Sequence, residues 1–252
     1  MSSQTHSKFG ELLRRSALKA LNKTSKGLRM EIPLAQRNGE TLVSLTRPGE
    51  AGRMLVGSDG DIGGHSWARL REPTAERAYT TFYGRTSHLL PSNRPEVARV
   101  GYAAFRSPDP EMNIFGRDYW DTGLYRYLSI RARLPKGAPA RHFMVNVQTA
   151  GVVKTDLFQH RLYLRPTMPK KGGGESGDGE WKDIVIPWSF FVLTNNGRML
   201  AQQMDLFRAR VRSVGISLAD GPMVEGPFAL DIAWFRMWNS PTSNGDMERI
   251  YF

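Results

Sequence analysis

The chain has 252 residues, 40% of them hydrophobic, and no cysteine, which excludes disulfides, thiolate metal sites and cysteine nucleophiles. Its formal charge of +11 is uneven: residues 1–37 carry eight Lys or Arg against Glu11 and Glu31, leaving +5 for the other 215 positions. A basic arm on a nearly balanced body suits an anionic surface or an organelle-targeting role better than a nucleic-acid groove, and no apolar run approaches the roughly 18 residues a membrane span needs.

In chain order, three parts are expected: a basic arm over 1–39, a strand-built domain over 40–239, and a polar tail over 240–252. Within the arm, FGELLRRSALKALNKTSKGL (9–28) places Phe9, Leu12, Leu13, Ala17, Ala20, Leu21 and Leu28 at helical spacing, with Leu18 breaking the pattern. Arg15, Lys19, Lys23 and Lys26 fall on the opposite side, so the spacing predicts an amphipathic helix. With Arg14, these cations suit an anionic, cardiolipin-rich membrane surface. A transit peptide has the same composition, and a helix docked on its own domain shares the pattern.

The domain opens with SDGDIGGHSWARL (58–70). Asp59, Asp61 and Gly64 match the first, third and sixth places of a calcium loop, but Gly63 and Leu70 stand where two further ligands belong. Ser66 lies in GHSWA, without the second glycine of a hydrolase elbow. The stretch therefore reads as a turn in which Gly63 and Gly64 supply positive φ or a close backbone approach, leading into a strand.

Alternating patterns follow. LYRYLSIRARL (124–134) puts Leu124, Leu128, Ile130, Ala132 and Leu134 on one face, with Tyr125, Tyr127, Arg131 and Arg133 on the other. HFMVNVQT (142–149) sends Phe143, Val145 and Val147 inward, with Asn146 and Gln148 outward. HRLYL (160–164), WKDIVIP (181–187), VRSVGISL (211–218) and FALDIAWFRMW (228–238) continue the series. A charged Pro/Gly stretch at 166–180 reads as a mobile loop, TNNGR (194–198) as a turn, and AQQMDLFRAR (201–210) as a helical window. Many short strands between turn residues argue for an all-β sandwich or jelly roll.

No catalytic constellation stands out. Ser66, His160 and Asp156 would have to converge to form a triad, and Glu225 with Asp231 would have to face each other to form a glycosidase pair. No cofactor or metal is expected. Binding through aromatic and arginine anchors is the better expectation, with Trp67, Tyr119, Trp120, Trp188, Trp238, Arg117 and Arg198 as candidates. Asp59, Asp61, His65, Asp156, His160 and Asn195 complete the candidate partner-binding set.

SDGDIGGHSWARL, FYGRTS (82–87), RVGYAAFRS (99–107), WDTGLYRYLSIRAR (120–133), TDLFQHRLYL (155–164), GEWKDIVIPWSFFVLTNNGR (179–198) and VRSVGISLADG followed by VEGPFALDIAWF occur in order. Together they resemble the complex I intermediate-associated protein family. The resemblance implies a galactose-binding-like jelly roll that is not an enzyme. It further implies an assembly factor for mitochondrial respiratory complex I, holding membrane-arm intermediates and other assembly factors at the matrix face of the inner membrane. A jelly-roll carbohydrate-binding module is the alternative, with Trp67 or Trp120 stacking on sugar and Asp59 or Asn195 accepting hydroxyls. The loop at 166–180 looks like an insertion, and the first 50 residues show no match to the family.

Overall fold

A computed structural model describes residues 39–92, 100–113, 116–151, 153, 155–164, 179–218 and 224–239. The expected helix over 9–28 with Arg14, Arg15, Lys19, Lys23 and Lys26, nearly all of the 166–180 loop, and the tail from 240 lie outside the described residues.

Alternation of apolar and polar residues dictates strands, and strands dominate: β1 (Gly39–Ser44), β2 (Leu55–Ser58), β3 (Trp67–Arg71), β4 (Thr80–Thr86), β5 (Ala103–Arg106), β6 (Met112–Asn113), β7 (Gly116–Arg117), β8 (Tyr127–Arg133), β9 (Phe143–Thr149), β10 (Asp156–Leu162), β11 (Lys182–Pro187), β12 (Val192–Asn195), β13 (Arg198–Met199), β14 (Val211–Leu218) and β15 (Gly226–Trp238). The first sheet runs β11-β8-β15-β4-β3, and the second runs β13-β12-β10-β9-β14-β5-β2. The chain passes repeatedly between the two, giving a jelly-roll β-sandwich in which every named pair is antiparallel.

The thirteen-residue β15 organises the first sheet. Its first half pairs with β4 and its second half with β8, and β1 also pairs with that second half. Gly39 therefore lies directly opposite Trp238, and a register shift between Ile232 and Trp234 separates the two halves. Between the sheets, Phe82 packs edge-on against Phe105 at 5.0 Å and tilts against Phe228 at 4.9 Å. Leu128, Ile130, Val145, Val147, Ile216 and Leu230 are fully buried around these rings.

Three local expectations change. Tyr125, assigned outward, is buried and donates its hydroxyl to Glu40, while Leu124, assigned inward, is 52% exposed. Both precede β8, so strand alternation does not govern them. Asn146 and Gln148 share the outward parity of β9 but are nearly buried, because Gln159 and Ser213 beside them fill the same face. The window at 201–210 forms no helix beyond a 3-10 turn at Arg208–Arg210. Gln203 instead donates to the Leu193 and Leu200 carbonyls and accepts from the Leu193 amide, tying the segment to β12. Arg208 donates to the carbonyls of Thr122, Gly123 and Tyr125.

Candidate functional site

The Gly-rich stretch forms a tight turn between β2 and β3. Asp59 is completely buried, and its carboxylate accepts from the Ser66 amide at 2.8 Å, the Ser66 hydroxyl at 2.9 Å and the Gly101 amide. Asp61 accepts from the Ser58 amide at 2.9 Å, and the Ser58 hydroxyl donates to the Ser66 carbonyl at 3.1 Å. Gly63 takes φ +97°, and a Cβ on Gly64 would come within 2.7 Å of the Asp59 Cγ. The turn expected of this stretch forms, and the hydrogen bonds supply its reason. Burial, and after it the two carboxylates, push the nearby Tyr102 phenol up, so it stays protonated. His65 is exposed beside the turn.

The other candidates scatter. Asp156 accepts from the Asn195 side-chain amide at 2.8 Å, and Asn195 pairs with Arg198 across a hairpin whose Asn196 and Gly197 take φ 48° and 72°. Those three residues therefore share one corner of the second sheet. His160 packs against Tyr163, Phe190 and Phe191, and burial pushes its pKa down, favouring the neutral ring. Ser66 donates to Asp59 and accepts from the Ser87 amide, and among the described residues no hydrogen bond joins it to His160 or Asp156. Glu225 precedes β15 and accepts from the His88 amide, whereas Asp231 lies buried within β15 and accepts from Thr81 and Arg133. They do not form a carboxylate pair.

Trp120 bridges to Val211 and lines a cleft of about 300 Å³ with Leu42, Met54, Pro108 and Asp109. Hydrogen bonds from Arg212, and then from Arg106, hold the Asp109 carboxyl down at about 2. Arg117 donates to the Pro110 carbonyl at 3.3 Å, Trp188 is buried and Trp238 is half-buried. A second depression of about 270 Å³ crosses the outer face of the second sheet, where Gly57, Ala104 and Gly215 leave room between Leu55, Arg106 and Leu157. No group of three or more metal-ligating side chains occurs among the described residues.

The outer face of the first sheet holds what sequence reasoning did not assemble. Arg69 lies 5.9 Å from the Trp67 ring, Arg71 5.1 Å from Tyr83, and Arg236 4.1 Å from Trp234. Arg133 lies 4.7 Å from both Tyr79 and Trp181, and Arg131 5.9 Å from Trp181. Trp67 meets Tyr83 edge-on at 5.9 Å, and Tyr79 meets Trp181 at 5.3 Å. Two carboxylates lie among them: Asp183, 3.1 Å from Arg131, and Asp231, 3.0 Å from Arg133. The signal was present in the alternations Trp67-Arg69-Arg71, Arg131-Arg133 and Trp234-Arg236, but only strand order brings them side by side.

Residues 43–232 match the family of Complex I intermediate-associated protein 30. A relative named Complex I intermediate-associated protein 30, mitochondrial, from Neurospora crassa is 35% identical over 202 residues, covering 72% of this chain and 66% of that protein. The relative of the same name from Mus musculus is 27% identical, covering 75% of this chain and 53% of its own length. The chain thus spans between about half and two thirds of these two relatives. Among solved structures, a family 11 carbohydrate-binding module from Clostridium thermocellum, in complex with a beta-1,3-1,4-mixed-linked tetrasaccharide, aligns with a TM-score of 0.47 at 14% identity, covering 80% of this chain and 96% of the module.

Proposed function

Because the chain belongs to the Complex I intermediate-associated protein 30 family, we propose that it is an assembly factor for mitochondrial respiratory complex I. Its task would be adhesion. It binds membrane-arm intermediates and other assembly factors, shielding unfinished surfaces until the next subunit arrives. The observation that carries this reading is the family match, which runs through the sandwich from β1 to β15.

The side-chain arrangement supports binding over bond-breaking. Ser66 is committed to Asp59, His160 is packed among rings, and Asp156 is bonded to Asn195. For the carbohydrate reading, Trp67 belongs to the first sheet, Trp120 bridges to the second, and the Asp59 carboxylate is already filled by three donors. Those groups offer no common platform for a sugar.

We place the protein at the matrix face of the inner membrane, held peripherally by the basic arm. No helix among the described residues is long and apolar enough to cross a membrane. The test is genetic and biochemical. In a null strain, native gels should show stalled membrane-arm intermediates, and affinity purification of the tagged chain should recover complex I subunits. Normal amounts of mature complex I in the null strain would overturn the proposal.

A further inference from the structure

We propose that the outer face of the first sheet docks an extended acidic segment of a partner protein, with Arg69, Arg71 and Arg85 as its carboxylate anchors. This rests on the assembly reading only in taking the partner to be a protein. Arg69 and Arg71 are exposed at alternate positions of β3, and exposed Arg85 on β4 pairs with Trp67. Asp183 and Asp231 are held by Arg131 and Arg133, and no ion pair to Arg69, Arg71 or Arg85 occurs among the described residues.

The rings fix how these cations can be used. The Arg69 guanidinium lies 5.9 Å from the Trp67 ring and that of Arg71 5.1 Å from Tyr83, so cation–π attraction holds both charges at this face. A guanidinium suits a planar carboxylate, which it can grip through two parallel hydrogen bonds. Alternate residues of a strand repeat at about 6.5–7 Å, and acids at alternate positions of an extended segment repeat at the same interval. The two patterns are complementary in both charge and spacing.

Other anionic partners fit less well. A single-stranded nucleic acid needs open aromatic faces for stacking, whereas here Trp67, Tyr83 and Trp234 already have guanidinium groups over them. A bilayer surface rewards exposed apolar side chains. Of those, Trp67 lies on this face, while Leu89, Leu90, Met204 and Phe207 are in loops and Met199 is on the second sheet.

The test uses the full chain and a fluorescein-labelled peptide of alternating Glu and Thr, read by anisotropy. The unmodified chain should bind the peptide at low salt and release it as salt rises. Replacing Arg69, Arg71 and Arg85 together by Glu should weaken binding about tenfold or more. Replacing Arg161 on the second sheet and Arg210 just before β14 should leave it within about twofold. Should the triple variant lose its thermal transition, single Arg69→Gln and Arg71→Gln variants take its place, each expected to weaken binding measurably. Unchanged peptide affinity in folded variants overturns the docking site. So does an unmodified chain that ignores the peptide but binds single-stranded RNA or phosphatidylglycerol vesicles. Neither result touches the assembly role, whose own failure would appear as normal complex I in the null strain.

Discussion

Asp59 is a fully buried carboxylate whose three donors come from Ser66 and Gly101, the latter 42 positions away. An amide in its place would turn a donor toward donors, so Asp59→Asn should destabilise the fold by about 2–4 kcal/mol. Gly64→Ala should cost about 1–3 kcal/mol, because the added methyl group meets the Asp59 side chain. Urea denaturation of each variant measures the loss, and wild-type midpoints for both would remove this account of the turn. The two glycines were legible in the sequence, since paired glycines after Asp-x-Asp signal a turn. The inward aim of Asp59 was not, because its third donor sits on a distant segment.

Strand patterns were readable wherever alternation was unbroken. β8, β9, β11 and β14 fall within a few residues of their expected bounds. Arg133 is the instructive exception. Its parity puts it on the outward face, yet it is buried because Asp231 of β15 lies across from it with Tyr79 and Trp181 beside its guanidinium. Sequence alternation reports a face but not what covers it. Arg133→Met would take the guanidinium away from the buried Asp231 carboxylate, to which Thr81 also donates, at a cost of about 3–5 kcal/mol. The double change Arg133→Met with Asp231→Leu should recover much of that loss. Thermal melts of the single and double variants decide it, and a double variant no more stable than the single one would contradict the pairing.

Which strand lies beside which could not be read from residues alone. β1 and β15 are neighbours although nearly the entire domain separates them in sequence, and such a pairing leaves no local mark. The family resemblance supplied the sandwich, and the strand order supplied the arginine face. The basic arm remains a proposal from charge and periodicity. Residues 9–28 should drive co-sedimentation with cardiolipin-containing vesicles, weakening as salt rises. A chain shortened by its first 30 residues that sediments equally well would assign the arm another task.

The pairing of Gly39 with Trp238 has a mechanical consequence. The segments preceding and following the sandwich are joined to it at one corner, so any grip on either of them suspends the body from a single pivot. β3, with its two exposed arginines, lies two strands from β15 and at that strand's other end, on the part of the body that swings farthest. Tension applied between the two segments would peel β1 from β15 one hydrogen bond after another, like a zip, instead of loading the whole ladder in shear.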